Sequence, residues 1–217
     1  GSKSAPNLNN MMLLVSGATA TIRNHTDDPN IGHLHTPGNG NTDSVWSTGL
    51  PVGGDNECFN KLNKPAFVVM LKAMRGRGVL WVAAPDVVGD ARATLLRFRL
   101  WAPVLEYYGL PIALVAQDGQ ELLPVPWDRI RCLFVGGSTE WKLGYHAARL
   151  IREAKRREKW VHIGRVNTQG RERLFDALGA DSTDGSAYSM FSDTYIPGAL
   201  ARRELRQTGM EHLLCGD

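Results

Sequence analysis

Cysteine is scarce and scattered. The chain of 217 residues carries three, Cys58, Cys132 and Cys215. They are odd in number and contain no C-x-x-C, which excludes a disulfide framework and a zinc knuckle. A reduced, cytoplasmic setting is expected. No apolar run approaches roughly 18 residues, so no membrane-spanning helix is expected. The polar opening GSKSAPNLNN has no signal-peptide core. Residues 1–10 are expected to be a disordered segment or a tag remnant, with the native start near Met11 or Met12. An excess of one charge is also missing. There are 25 Lys+Arg against 22 Asp+Glu, a net charge of +3, which permits a polyanionic partner without demanding one. GATAT (17–21) has no following Gly-Lys-Ser/Thr, and GGSTEWKLG (136–144) has no G-x-G-x-x-G register. A P-loop and a dinucleotide fingerprint are thereby excluded. His25, His33 and His35 lack H-E-x-x-H spacing and read as loop histidines. Neither a metal nor a redox cofactor is expected.

What is present is an alternation of apolar strands and amphipathic helices. MMLLVSGA (11–18) reads as a buried strand. Residues 19–54 are rich in Gly, Asn, Thr, Pro and His and read as a long loop, a candidate lid, with a short strand near 50–54. AFVVMLKAM (66–74) suits a helix stopped by Gly76 and Gly78. VLWVAAPD (79–86), IALVAQDG (112–119), IRCLFVGG (130–137) and WVHIGRVN (160–167) read as strands. Between them lie helices at 93–109, capped by Asp90, and at 144–158. Further on come a helix at 169–178, a short strand within 180–189 and a last helix at 197–207. Single apolar strands separated by helices argue for a parallel sheet covered by helices. The fold expected is α/β, a compact or incomplete (β/α)8 TIM-like barrel occupying 11–217 as one domain. About seven strands are visible, and a full barrel commonly needs about 250 residues, so the eighth strand is expected to be missing or distorted.

In a parallel sheet the chemistry lies at the carboxyl ends of the strands. Those ends deliver Asp55 and Asn56, Asp86, Gln117 and Asp118, Gly136 with Gly137 and Ser138, Gly164 with Arg165, and Asp181 with Asp184. Single residues of this kind are usually caps, and Asp90 and Asp118 are read so. A convergent set of Asp55, Asp86 and Asp184 is read as functional. One carboxylate can attack a carbon while another moves protons, a pairing that suits an anomeric carbon. A carboxylate beside a glutamine amide also suits a purine edge. The basic run from Arg149 to Lys159 is interleaved with Glu153 and Glu158 and reads as a solvated helix face. Trp46, Trp141 and Tyr188 near the exits are candidates for stacking on a base, while Trp81, Trp101 and Trp160 read as core.

Five ordered segments resemble the tRNA-guanine transglycosylase superfamily, and especially its small phage and bacterial branch that inserts 7-deazaguanines into DNA. GGDNECF (53–59) is similar to T-D-S-G-G-F-Q, AAPD (83–86) to the strand end that reads the purine, and VAQDG (115–119) to V-Q-G-G. FVGG (134–137) matches the glycine pair, and GADSTDGSAYS (179–189) resembles G-V-D-M-F-D-C-V. The resemblance implies a pentosyltransferase, with Asp184 as nucleophile at C1′ and Asp55 as general base. It implies a base held by Asp86, Gln117 and the backbone of Gly136 and Gly137. Lys142 and Arg165 would contact backbone phosphates. The partners implied are DNA, with tRNA as the alternative, a free 7-deazaguanine such as preQ0, and a helper that opens the duplex. The family's zinc cluster of three cysteines and a histidine has no counterpart. A non-catalytic nucleic-acid-binding module and an N-glycosidase are the other readings.

Overall fold

The computed structural model describes residues 11–16, 20–39, 43–59 and 61–185. The segment at 1–10, most of GATAT, Tyr188, the helix expected at 197–207 and Cys215 lie outside the described residues. Eight strands are present: β1 (Met12–Ser16), β2 (Ile31–His35), β3 (Val52–Gly54), β4 (Trp81–Ala83), β5 (Ile112–Ala116), β6 (Cys132–Val135), β7 (Trp160–Ile163) and β8 (Ser182–Thr183). All neighbours pair in parallel, and β8 pairs with β1, so the sheet closes into a barrel. Helices α1 (Ala20–Arg23), α2 (Asp43–Trp46), α3 (Lys64–Met74), α4 (Ala91–Tyr107), α5 (Thr139–Lys142), α6 (Tyr145–Arg156) and α7 (Gln169–Ala177) follow the strands. This is a (β/α)8 TIM-like barrel with its eighth strand in place.

The strand hidden from sequence reading is β2, inside the stretch read as loop. Its sequence IGHLH carries one glycine and two histidines, and all five residues are buried. The histidines are therefore strand side chains. His33 bonds Thr48 Oγ1 through Nε2 at 3.0 Å, and burial pushes the His35 imidazole below its ordinary pKa. Gly32 is dictated by close approach. A Cβ there would lie 2.6 Å from the Pro51 carbonyl oxygen and 2.8 Å from Leu14 Cδ2. The carbonyl belongs to the chain entering β3 and cannot swing aside. Gly32→Ala should therefore cost about 1–3 kcal/mol of stability, read as a lower midpoint in thermal or denaturant unfolding.

Two apolar layers hold the barrel. Between sheet and helices, α3 and α4 bury Phe67, Leu71, Met74, Phe98 and Leu105 against β3 to β5. Helix α6 buries Ile151 and Ala154, and α7 buries Phe175, against β6 and β7. The helices begin at identifiable caps: Asp90 Oδ1 accepts from Ala93 N at 2.9 Å, and Ser138 Oγ from Trp141 N at 3.2 Å. Inside the barrel lie Leu14, Leu34, Trp81, Val115 and Phe134. Trp81 and Phe134 meet edge to face with centroids 5.4 Å apart. Filling the lower barrel this way leaves the polar strand ends as the floor and walls of its upper mouth.

Candidate active site at the barrel mouth

A cavity of about 80 Å³ opens at the carboxyl ends of the strands. Asp55, Asp86, Gln117, Gly136, Arg165 and Asp184 line it, with Val115, Phe134 and Phe59 as apolar wall. Each polar residue stands just beyond a strand. Gly137 and Lys142 do not line the cavity.

Two of the three carboxylates are engaged at both oxygens by partners on neighbouring strands. Asp86 Oδ1 accepts from Asn56 Nδ2 at 2.9 Å, and Oδ2 accepts from Gln117 Nε2 at 2.6 Å. Burial raises the Asp86 pKa, and these two bonds oppose the rise. The Gln117 oxygen is itself engaged, since Oε1 accepts from Gly89 N at 2.9 Å and Gly137 N at 3.0 Å. Asp184 Oδ2 bonds His162 Nε2 at 2.8 Å, and Oδ1 accepts from Arg165 N at 3.0 Å. Arg165 adopts a left-handed backbone, φ 58°, which marks a locally strained exit from β7.

Asp55 differs. It accepts the Asn56 N–H at 2.8 Å. The residue keeps some solvent exposure, yet its carboxyl is desolvated. Burial first, then the charges of Asp184 and Asp86, raise its pKa to about 7. A carboxyl poised there can hold or release a proton near neutrality. Cys58 is pushed the other way for a nucleophile: burial raises its thiol to about 11.

Two basic groups sit differently from expectation. Lys142 is 5% exposed and donates from Nζ to the Gly164 carbonyl at 2.5 Å. Burial, then the neighbouring Arg165, lowers its pKa to about 8. It is a strut between α5 and the end of β7 rather than a phosphate contact. Arg165 donates from Nη2 to the Gly137 carbonyl at 2.9 Å, and its guanidinium lies 4.9 Å from the Phe59 ring centroid. Asp118 has the structural role expected of it, accepting from Ser138 N at 2.7 Å and from Ser138 Oγ at 2.6 Å.

Sequence reading missed His162 and Ser182. The available signals were a histidine within the apolar strand WVHI and a two-residue strand, ST, made of polar side chains alone. Among the described residues no three His, Cys, Asp or Glu side chains group to hold a metal ion. A divalent cation such as magnesium needs oxygen ligands, whereas Asp86 and Asp184 have nitrogen partners at both oxygens. The donor set does not fit such an ion.

No protein-family model matches the sequence, and no curated protein does. Solved structures match in fold. L-Talarate dehydratase from Polaromonas sp. JS666, complexed with Mg and L-glucarate, is 11% identical with a TM-score of 0.50, over 83% of this chain and 54% of that one. The chain thus spans about half the length of the dehydratase. An HpcH/HpaI aldolase from Desulfitobacterium hafniense is 10% identical, TM-score 0.48, over 91% and 94% of the two chains. CdNal from Clostridium difficile, in complex with mannosamine, is 12% identical, TM-score 0.48, over 93% and 83%. At such identities the likeness is one of fold. These findings correct the transglycosylase reading. No family model supports base exchange for this chain, and the barrel matched at a TM-score of 0.50 is that of a dehydratase. The groups meant to read a guanine edge, Asp86, Gln117 and the Gly137 N–H, are bonded to one another. Asp184, meant to attack C1′, is bonded at both oxygens, and Lys142 is buried. Pentosyl transfer, the 7-deazaguanine substrate, and DNA, tRNA and a duplex-opening helper as partners are withdrawn with it.

Proposed function

We propose that the chain is an enzyme of small metabolites that transfers a proton at a carbon beside a carbonyl. Asp55 is the acid–base group and Arg165 supports the carbonyl oxygen. The observation that carries this is the unequal treatment of three carboxyls around one cavity. Asp86 and Asp184 are engaged at both oxygens by partners on neighbouring strands, whereas Asp55 accepts main-chain N–H groups of its own turn, and burial with the two neighbouring charges raises its pKa to about 7. In the step itself, the Asp55 carboxylate takes the proton, the C–H electron pair moves into the C–C bond of an enolate, and the oxygen gains the negative charge. The guanidinium stabilises that charge as it develops. In an α-hydroxy carbonyl, return of the proton to the former carbonyl carbon, with the hydroxyl hydrogen passing to the other oxygen so that the hydroxyl carbon becomes the new carbonyl, gives an isomer. Expulsion of a group from the next carbon gives a lyase product, the leaving group departing with the electron pair.

The substrate is uncharged or cationic, because three acids and one guanidinium line the mouth and a carboxylate or phosphate would meet net repulsion. No step runs through a metal. The described residues contain no helix long and apolar enough to cross a membrane, and the scattered cysteines support a cytoplasmic setting.

Incubation in D2O with hydroxyketones, aldoses and amino-ketones, followed by proton NMR, tests the reading. The expected result is loss of a C–H signal beside the carbonyl in at least one class, abolished by Asp55→Asn. Exchange in none of them, or exchange that Asp55→Asn leaves intact, would overturn it.

A further inference from the structure

Below the cavity, three side chains that the proton-transfer step does not use form a continuous chain to Asp184. Trp160 Nε1 donates to Ser182 Oγ at 2.8 Å. Ser182 Oγ bonds His162 Nδ1 at 2.8 Å, and His162 Nε2 bonds Asp184 Oδ2 at 2.8 Å. Ser182 and His162 are both 0% exposed. The His162 ring is wedged between Trp81 and Phe134, each with its centroid 4.6 Å away, so it has little room to rotate. The cross-strand register places the set: His162 on β7 pairs with Ser182 on β8.

Hydrogen counting gives this chain a direction. An indole N–H can only donate, so Ser182 Oγ is an acceptor toward Trp160. The hydroxyl retains one hydrogen, and the partner in line for it is His162 Nδ1. That nitrogen must then present its lone pair, which leaves the ring hydrogen on Nε2, facing a carboxylate. The opposite tautomer would aim a lone pair at Asp184 and leave the serine hydrogen without its partner.

The geometry points to His162 as a positioning residue. Trp160 and Ser182 fix its tautomer, so that Nε2–H holds Asp184 as an oriented acceptor beneath the cavity. Asp184 Oδ1 is fixed separately by the Arg165 N–H, so both oxygens are pinned and the carboxylate cannot turn. The relay stands independently of the proton-transfer reading and would hold even if Asp55 had no catalytic role.

The test needs no substrate. Long-range proton–nitrogen NMR on protein with 15N-labelled histidine should show His162 protonated at Nε2 and bare at Nδ1. A proton on Nδ1, alone or with one on Nε2, would overturn the relay in the unaltered protein. Two variants separate direction from simple attraction to the carboxylate. Asp184→Asn removes the charge, and the proton should stay on Nε2 because the tryptophan end dictates it. Adding Ser182→Ala to Asp184→Asn removes the directing hydroxyl as well as the charge, and the Nδ1-protonated form should then appear. A proton that leaves Nε2 in Asp184→Asn, or a signature unchanged in the double variant, would show that the relay does not set the tautomer.

Discussion

Asp55→Asn should make the protein more stable at pH 8 while removing its chemistry. The carboxyl has a pKa of about 7 in the folded chain and an ordinary value near 3.8 in the unfolded one. The folded state therefore binds this proton more tightly. Between the two values the native state carries more protons than the unfolded state, so stability falls as pH rises from about 4 to about 7 and is level beyond. Such a shift corresponds to about 4 kcal/mol at full burial, and the partial exposure of Asp55 brings the expectation to about 2–4 kcal/mol. The asparagine oxygen can keep the hydrogen bond from Asn56 N without placing a charge beside Asp86 and Asp184. For a chain of this size that is a rise in melting temperature of about 5–15 °C at pH 8. Near pH 4 the difference should vanish. Loss of a general base should slow exchange by about 10²–10⁴-fold. Parallel melting curves at pH 4, 6 and 8 decide it, and equal midpoints at pH 8 would show that the Asp55 carboxyl is not destabilising.

The barrel was largely legible because its signal is local. Strands β4 to β7 are apolar runs ended by turn residues, and α6 shows its apolar face at helical spacing. β2 was not legible, because IGHLH has neither apolar continuity nor alternation. Its burial comes from closure of the sheet between β1 and β3, a tertiary effect that periodicity cannot carry. The aspartates of the mouth were legible as strand ends, and the structure does bring Asp55, Asp86 and Asp184 to one cavity. Their bonding was not. Which oxygen meets Asn56, Gln117 or His162 depends on neighbours 19 to 31 residues away in sequence. The family resemblance failed for a related reason. Short segments of Asp, Gln and Gly after apolar strands are what many barrel mouths carry, and their order follows from the order of the strands. Such segments specify a place for chemistry more than the chemistry itself.

Gln117→Met should cost about 3–6 kcal/mol, the largest loss expected from one side chain at the mouth. Gln117 is 3% exposed and joins three strand ends. Its oxygen accepts from Gly89 N, after β4, and from Gly137 N, after β6. Its nitrogen donates to Asp86. Methionine fills a similar volume, so the packing term is small and the loss comes from the buried Gly137 N–H, the partly buried Gly89 N–H and one buried carboxylate oxygen left unpaired. That loss should vary little with pH below the range where Asp86 ionises and grow above it. Gln117→Glu makes a sharper comparison. The glutamate can still accept both glycine N–H groups, but it sets a second carboxyl where the Asp86 contact was 2.6 Å. Two carboxyls that close share one proton. The variant should therefore be near parental stability in acid, where the shared proton bridges them, and should weaken steeply as pH rises and removes it. Denaturant midpoints against pH distinguish the two substitutions. A Gln117→Glu curve parallel to that of the parent would mean that Gln117 does not hold Asp86 as an ionised neighbour of Asp55.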